Sequence, residues 1–143
     1  MYRKDNPHQL TFKDFYLPFG GHLRSDNRWV ILAGQIPWHQ IEEAYGELFS
    51  DDNGCPAKSA RMALGALIIK KRLGTADRET VEQIAENPYL QYFCGYKKYD
   101  DSKLPFDPSS MVHFRKRLTA EILGEINELI LRENQPAGND HKD

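Results

Sequence analysis

Few residues in this sequence would direct it to a membrane, a disulfide-stabilised fold or a metal. No apolar run approaches the roughly 18 residues that a membrane span needs, and the first ten residues, MYRKDNPHQL, lack a signal peptide's apolar stretch. The cytoplasm is therefore the expected compartment. The two cysteines, Cys55 and Cys94, lie 39 positions apart without CxxC spacing. We expect a buried free thiol at each, in preference to a disulfide or metal site.

Ligand-like histidine spacing, internal repeats and low-complexity segments are absent too. Four of the five histidines are scattered along the chain, namely His8, His22, His39 and His141. We therefore expect no metal and no cofactor. With 143 residues, 40% hydrophobic and 28% charged, the chain is long enough for one globular domain with its own core.

Strand patterns are nearly absent, whereas helix start and stop signals recur. Ser25 or Asp26 is expected to cap NRWVILAGQI, and Pro37 to open PWHQIEEAYGELF, which the polar run SDDNG ends. A longer helix, AKSARMALGALIIKKRLG, is predicted between Pro56 and Gly74. The chain is thus predicted to be all-α, a compact multi-helix domain.

The second half of the chain repeats these signals. Asp77 is expected to cap RETVEQIAEN, and an Asn-Pro pair precedes the short helix YLQYFCG. After a loop at 96–106, Asp107 and a following proline predict a helix over 108–118, and Thr119 is expected to cap AEILGEINELILREN.

These boundaries predict three parts. Residues 25–133 form the helical domain, residues 1–24 a partly ordered arm, and residues 134–143 a polar flexible tail. The aromatic run Tyr89, Tyr92, Phe93, Tyr96 and Tyr99 has helical spacing, which favours core packing over base stacking. The apolar stripe of the last helix favours core closure, with a dimer contact as the alternative.

Positive charge is concentrated in two stretches, although the whole chain has a net charge of −2. Residues 58–78 carry +5 and residues 97–117 carry +3, which leaves −10 on the remainder. This asymmetry predicts a basic face on an acidic body, as in proteins that bind nucleic acid.

The helix predicted over 108–118, DPSSMVHFRKRL with its preceding aspartate, has two distinct faces. At 100° per residue, Met111, Phe114 and Leu118 share the side that must face the core. Arg115 borders that stripe and is expected to pair with a carboxylate or extend along it. The opposite face carries candidate contacts to base edges and phosphates: Ser109, His113, Lys116 and Arg117.

Two interpretations of this face stay open on the residues alone. Cations near a helix C-terminus complement the helix dipole, so the face can be a solvated surface. Alternatively, with RETVEQIAEN before it, the helix completes a helix-turn-helix-like element, although the connection of about twenty residues far exceeds the usual turn. The same choice applies to Lys70, Lys71 and Arg72, which either complement the dipole of their own helix or bind phosphates.

Several ordered stretches resemble the N-terminal domain of bacterial insertion-sequence transposases of the DDE type, in the insertion sequence five-like group. They are DNRWVILAGQIPW, EEAYGELF, GCPAKSARMALGALIIKKRLG, DRETVEQIAENPYLQYFCG and LPFDPSSMVHFRKRL. The resemblance covers about residues 10–131, and ENPYLQYFCG and FDPSSMVHFRKRL are its most specific parts.

The resemblance implies sequence-specific binding of double-stranded DNA at transposon terminal inverted repeats, in a bacterial cytoplasm and at the nucleoid. The 108–118 helix would enter the major groove. Phosphates would be held by Lys70, Lys71 and Arg72, with Lys97, Lys98 and Lys103 in reserve. The alternative is an interaction module that oligomerises, as a homodimer or with full-length transposase, and inhibits it. No membrane or small-molecule substrate is implied.

We expect no enzymatic activity from these 143 residues. In the family that the chain resembles, a separate ribonuclease-H-like domain supplies the catalytic carboxylates, and we expect that domain to be missing here. Two-metal phosphoryl chemistry also needs carboxylates that converge from a folded scaffold. The acids of this chain are expected instead as caps (Asp77, Asp107), on a polar helix face (Glu42, Glu43, Glu47) and in loops (Asp51, Asp52, Asp100, Asp101).

Overall fold

A computed structural model describes residues 11–49 and 58–134 of the chain. Several predictions fall outside these ranges: the first ten residues of the arm, the SDDNG turn, a thiol at Cys55, a helix start at Pro56 and all but the first residue of the tail.

Within the described residues the protein is all-α, as predicted. Three 3₁₀ turns lie at Phe12–Asp14, Pro18–Gly20 and Gly46–Phe49, and an isolated parallel bridge joins Tyr16 and Lys98. The α-helices are α1 (Arg28–Gln35), α2 (Trp38–Tyr45), α3 (Ala60–Leu73), α4 (Asp77–Glu86), α5 (Pro88–Phe93), α6 (Ser110–Arg117) and α7 (Ala120–Glu133).

Helix α3 lies at the centre, because α2, α4, α5 and α6 all pack against it. Its small residues make this possible: Ala63 and Ala66 are fully buried, and Gly65 faces α5. A Cβ added at Gly65 would lie 3.2 Å from the Sγ of Cys94. The close approach of α3 and α5 therefore depends on a glycine at this position.

The aromatic residues of α5 belong to the core, as predicted. Phe93 is fully buried between Trp29 and Trp38, with ring centroids 5.3 and 5.4 Å away and edge-to-face geometry. Tyr92 is buried as well. The predicted buried free thiol at Cys94 is confirmed, and burial raises its pKa to about 12.

Three of the predicted helix boundaries are confirmed in detail. Gly74 ends α3 in the left-handed region, with φ of 68°. Asn87 caps α5, its side chain accepting the Tyr89 N–H at 2.9 Å. The Thr119 hydroxyl accepts the Ile122 N–H at 3.3 Å at the start of α7.

Other predicted starts are wrong by one or two residues. Asn27, not Ser25 or Asp26, caps α1 by accepting the Trp29 N–H at 2.8 Å, since Asp26 is hydrogen-bonded to Arg24. Pro37 directly precedes α2 instead of opening it.

The 108–118 helix is also shorter than predicted, because α6 starts at Ser110. Asp107 still acts near its start, accepting the Ser109 N–H at 2.9 Å in the turn before the first helical residue. Asp77 is not a cap at all. It is the first residue of α4, and Ala76 occupies the capping position.

Helix α7 closes one side of the domain, with Ile126 as its buried residue. It is attached to the first two helices by polar contacts. The Tyr45 hydroxyl donates to Glu125 at 2.6 Å, and the Asn134 amide donates to the Gln35 carbonyl at 2.6 Å. The hydrogen bond to Glu125, together with partial burial, raises the pKa of Tyr45 to about 12. The core role predicted for the apolar stripe of this helix is thus confirmed. Ile126 is buried, and Ile122, Leu129 and Ile130 are partly buried against the core, whereas Leu123, predicted alongside the stripe, is exposed.

Candidate nucleic-acid interface

The two faces predicted for the 108–118 stretch are present on α6. Met111, Phe114 and Leu118 are buried against α3 and the Gly46–Phe49 turn. The Phe114 ring makes an edge-to-face contact with Phe106 at a centroid distance of 5.0 Å. This packing fixes which side of α6 faces outward.

The outward side carries the four predicted residues. Ser109, His113, Lys116 and Arg117 are all exposed, as is Val112, which the sequence placed at the flank. Two hydrogen bonds from Ser109 lower the pKa of Asp107, and the bond from the backbone N–H has a larger effect than the bond from the hydroxyl. The face therefore combines an imidazole, two cations, a hydroxyl and a methyl-bearing side chain. These groups match the chemistry of base edges and phosphates.

Arg115 points away from that face and pairs with a carboxylate, as expected from its position beside the apolar stripe. Its Nη1 and Nη2 donate to the two carboxylate oxygens of Asp77 at 2.8 and 3.0 Å. This bidentate geometry gives the strongest form of the arginine–carboxylate pair. Hydrogen bonds from Arg115 lower the pKa of Asp77, although partial desolvation opposes them.

Lys70 joins the same cluster from the end of α3. Its Nζ lies 3.4 Å from an Asp77 oxygen and donates to the Thr75 carbonyl at 2.7 Å. The end of α3, the start of α4 and the C-terminal half of α6 therefore meet at one place. We call these three adjoining helix segments the basic corner. Besides Asp77 they carry the cations Lys70, Lys71, Arg72, Arg78, Arg115, Lys116 and Arg117.

Lys97 and Lys98 are exposed but lie apart from the basic corner. Their loop bridges Tyr16 and is bound to the far end of α4, where the Tyr99 hydroxyl donates to the Glu86 carbonyl at 3.2 Å. That end is about 14 Å from Asp77 along the helix axis. The structure thus brings the end of α3 to α6 but does not bring this lysine pair there. Lys103 is exposed in the same loop.

One cation of the basic stretch 58–78 is not on the surface. Arg61 is 7% exposed, and its Nε and Nη2 donate to the Phe93 and Tyr92 carbonyls at 3.0 and 2.8 Å. Its guanidinium lies over the Trp38 ring at 4.6 Å, and burial lowers its pKa. A count of charges along the sequence therefore overstates the basic surface.

Glu42 is also more than part of a polar helix face. It is half-buried, and its carboxylate accepts the Arg61 backbone N–H at 2.9 Å, which stabilises the start of α3.

Across residues 11–49 and 58–134, no three His, Cys, Asp or Glu side chains are grouped as metal ligands would be. In the same ranges no helix has the length and apolar character to cross a bilayer.

The described residues thus form an all-α domain with a cationic helix face. Residues 18–117 match the family model described as a transposase domain, DUF772. Because the match covers more than half of the chain, the protein belongs to this transposase-related family. A curated relative, "Uncharacterized protein ORF8 in nfe locus" of Rhizobium meliloti, is 38% identical over 97 residues, which are 68% of this chain. The aligned region spans 46% of that relative's length. No solved structure matches the chain.

Proposed function

We propose that this domain binds double-stranded DNA sequence-specifically at the terminal inverted repeats of a transposon, as the N-terminal part of a transposase. Membership of a transposase family indicates a role in transposition. The observation that supports sequence-specific DNA binding is the exposed face of α6, which ends in the basic corner. A helix anchored by Met111, Phe114 and Leu118 presents its opposite side as one unit.

In this proposal α6 enters the major groove and reads base edges. His113 and Ser109 would hydrogen-bond to base edges, and Val112 would contact a thymine methyl group. Lys116 and Arg117 would bind guanine edges or the adjacent phosphates. A helix-turn-helix arrangement is part of the proposal, although the observed packing partner of α6 is α3.

Phosphate contacts would fix the register of the helix in the groove. Lys71 and Arg72 are exposed at the end of α3, beside α6, and are best placed for this role. Lys97 and Lys98 would hold a more distant phosphate. The ammonium of Lys70, by contrast, is held by Asp77 and Thr75. Strand cleavage and joining are assigned to a separate catalytic domain.

Charge reversal on α6 tests the proposal directly. The double variant Lys116→Glu/Arg117→Glu should weaken binding to a terminal-repeat duplex by roughly thirtyfold or more, since each lost contact costs about 1–3 kcal/mol. Fluorescence anisotropy with labelled duplex measures the change. Arg28→Glu/Arg132→Glu, on α1 and α7, makes the same change in net charge at exposed sites away from α6. Equal loss in both variants would show that only total charge matters.

A protein-interaction role is the second candidate, because α7 exposes Leu123 and Leu131 at 38% and 59%. In that case Leu123→Glu/Leu131→Glu should turn a dimer into a monomer in sedimentation velocity experiments and leave DNA binding intact. These positions are better suited than Ile126, which is 2% exposed and whose substitution would disrupt the core. A monomeric parent protein would rule out a homodimer through this face.

A further inference from the structure

The basic corner contains one carboxylate that holds two of its cations. Asp77 receives both Arg115 nitrogens at 2.8 and 3.0 Å, and Lys70 lies 3.4 Å from one of its oxygens. The exposed fraction of the side chain is 43% for Arg115, 31% for Lys70 and 27% for Asp77. A phosphate group can therefore approach the cluster from solvent, and the cations are paired internally although they are not buried.

We infer that Asp77 is a specificity-determining residue: it withholds Lys70 and Arg115 from DNA phosphates and so keeps non-specific affinity low. The inference rests on the proposed function. Affinity for any duplex rises with the number of phosphates that the protein neutralises, irrespective of sequence. Specificity is the difference between two affinities, so it increases when sequence-independent contacts are removed.

Two observations favour this role over a purely local one for Asp77. Its side chain does not cap α4, because Asp77 is the first helical residue and no side-chain capping bond is formed there. It also forms its contacts with residues of two other helices, Lys70 of α3 and Arg115 of α6. A carboxylate beside a phosphate-binding surface repels DNA. The pairing of Asp77 with Lys70 and Arg115 would in addition keep these two cations from binding phosphates.

The same ion pair also positions α6. Arg115 lies between Phe114, which is buried, and Lys116, which is exposed on the proposed reading face. Its fork on Asp77 restrains rotation of α6 relative to α4. Loss of Asp77 should therefore both release two cations and loosen the reading face. Both effects lower the ratio of specific to non-specific affinity.

The test is Asp77→Asn, which removes the charge and nearly preserves the shape. Binding is measured by anisotropy against the terminal-repeat duplex and a scrambled duplex over a salt series. We expect affinity for the scrambled duplex to rise about tenfold at low salt, and the log–log salt dependence to steepen by about two. The affinity ratio should fall. A purely structural role predicts weaker binding to both duplexes with an unchanged or shallower salt dependence, and that result would overturn the inference.

Glu79→Gln is the matched control, because it removes the same charge from the same first turn of α4. Glu79 is exposed, and its carboxylate accepts a hydrogen bond from Gln83 at 2.8 Å within α4. The salt dependence of DNA binding by the Glu79→Gln variant should equal that of the parent protein. If Glu79→Gln steepens it as much as Asp77→Asn does, general charge explains the effect and Asp77 has no special role.

Arg115→Met supplies a second, independent variant. In the parent background it should leave the salt dependence unchanged, because Arg115 is withheld from phosphates there. In the Asp77→Asn background it should remove about half of the added steepness, one phosphate contact of two. A loss of about one contact in the parent background would contradict the inference. Failure of the proposed function gives a different result, because the parent protein would then bind the terminal-repeat and scrambled duplexes with equal affinity. The salt dependences of the parent protein and its variants could still be compared with one another on either duplex.

Discussion

Arg61→Leu is expected to destabilise the domain by about 3 kcal/mol, since it removes two charge-assisted hydrogen bonds of about 1.5–3 kcal/mol each. The Tyr92 and Phe93 carbonyls at the end of α5 would lose these donors inside the core. The contact with the Trp38 ring would be lost as well. Relief of the desolvation that lowers the Arg61 pKa offsets part of this cost.

Urea unfolding followed by tryptophan fluorescence measures this loss, because Trp38 lies under the Arg61 guanidinium. Arg61→Lys should also be destabilised, since a single ammonium cannot reproduce the planar fork. Arg132→Leu, at an exposed site on α7, should stay within about 0.5 kcal/mol of the parent protein. An Arg61→Leu variant as stable as the parent would mean that hydrophobic replacement compensates fully, contrary to this account.

Gln91→Leu is expected to cost about 2–4 kcal/mol, because leaving each buried polar partner unsatisfied costs about 1–3 kcal/mol. Gln91 is fully buried, and its amide nitrogen donates to the Ala85 and Asp100 carbonyls at 3.1 and 2.9 Å. Its oxygen accepts the Asp100 N–H at 2.9 Å. The side chain thus fastens the 96–106 loop, with Lys97 and Lys98, to α4 and α5.

Equilibrium unfolding and amide hydrogen exchange together check the Gln91 prediction. Exchange of the Asp100 amide should be faster in the variant than in the parent protein, and this increase should exceed any increase at the amides of α3. Gln83→Leu is the control, because Gln83 is half-buried and its side chain donates to Glu79 within α4. Its replacement should change stability by about 0.5 kcal/mol or less. Unchanged protection at Asp100 in Gln91→Leu would show that the loop is held by other contacts.

The helices and the buried side of α6 could be predicted because they depend on local signals. Met111, Phe114 and Leu118 recur at the helical period, and a period of three to four residues defines one face without any knowledge of neighbours. Gly74 and Thr119 also act through their own backbone or over three residues. The aromatic residues of α5 were assigned to the core for the same reason.

The polar interior could not be predicted from the same patterns. Arg61 and Gln91 stand among apolar residues, yet polar side chains in a helix are usually exposed. Their burial depends on partners up to 32 positions away, such as the Phe93 carbonyl. The sequence predicts a cap at Asp77, because Asp before a polar helix is a common start signal. Its actual partner, Arg115, is 38 positions away.

The candidate site was predictable in composition but not in arrangement. All four residues predicted on the outer face of the 108–118 helix are exposed, because exposure follows from the opposite buried stripe. Which lysines lie beside them depends on how α3, α4 and α6 pack. That packing brings the end of α3 to α6 and places Lys70 on Asp77. The loop of Lys97 and Lys98 is instead bound to the other end of α4, which is about 14 Å from Asp77 along the helix axis.

Sequence-specific DNA binding through α6 can be measured with the parent protein alone. Anisotropy titrations of the parent protein would compare the terminal inverted repeat of its own element with a scrambled duplex of equal length and composition, across a salt series. We expect at least about tenfold tighter binding to the true repeat, and we expect this binding to weaken as the salt concentration rises. Equal and weak binding to both duplexes at every salt concentration would contradict it, and α6 would then be a solvated surface helix in this chain.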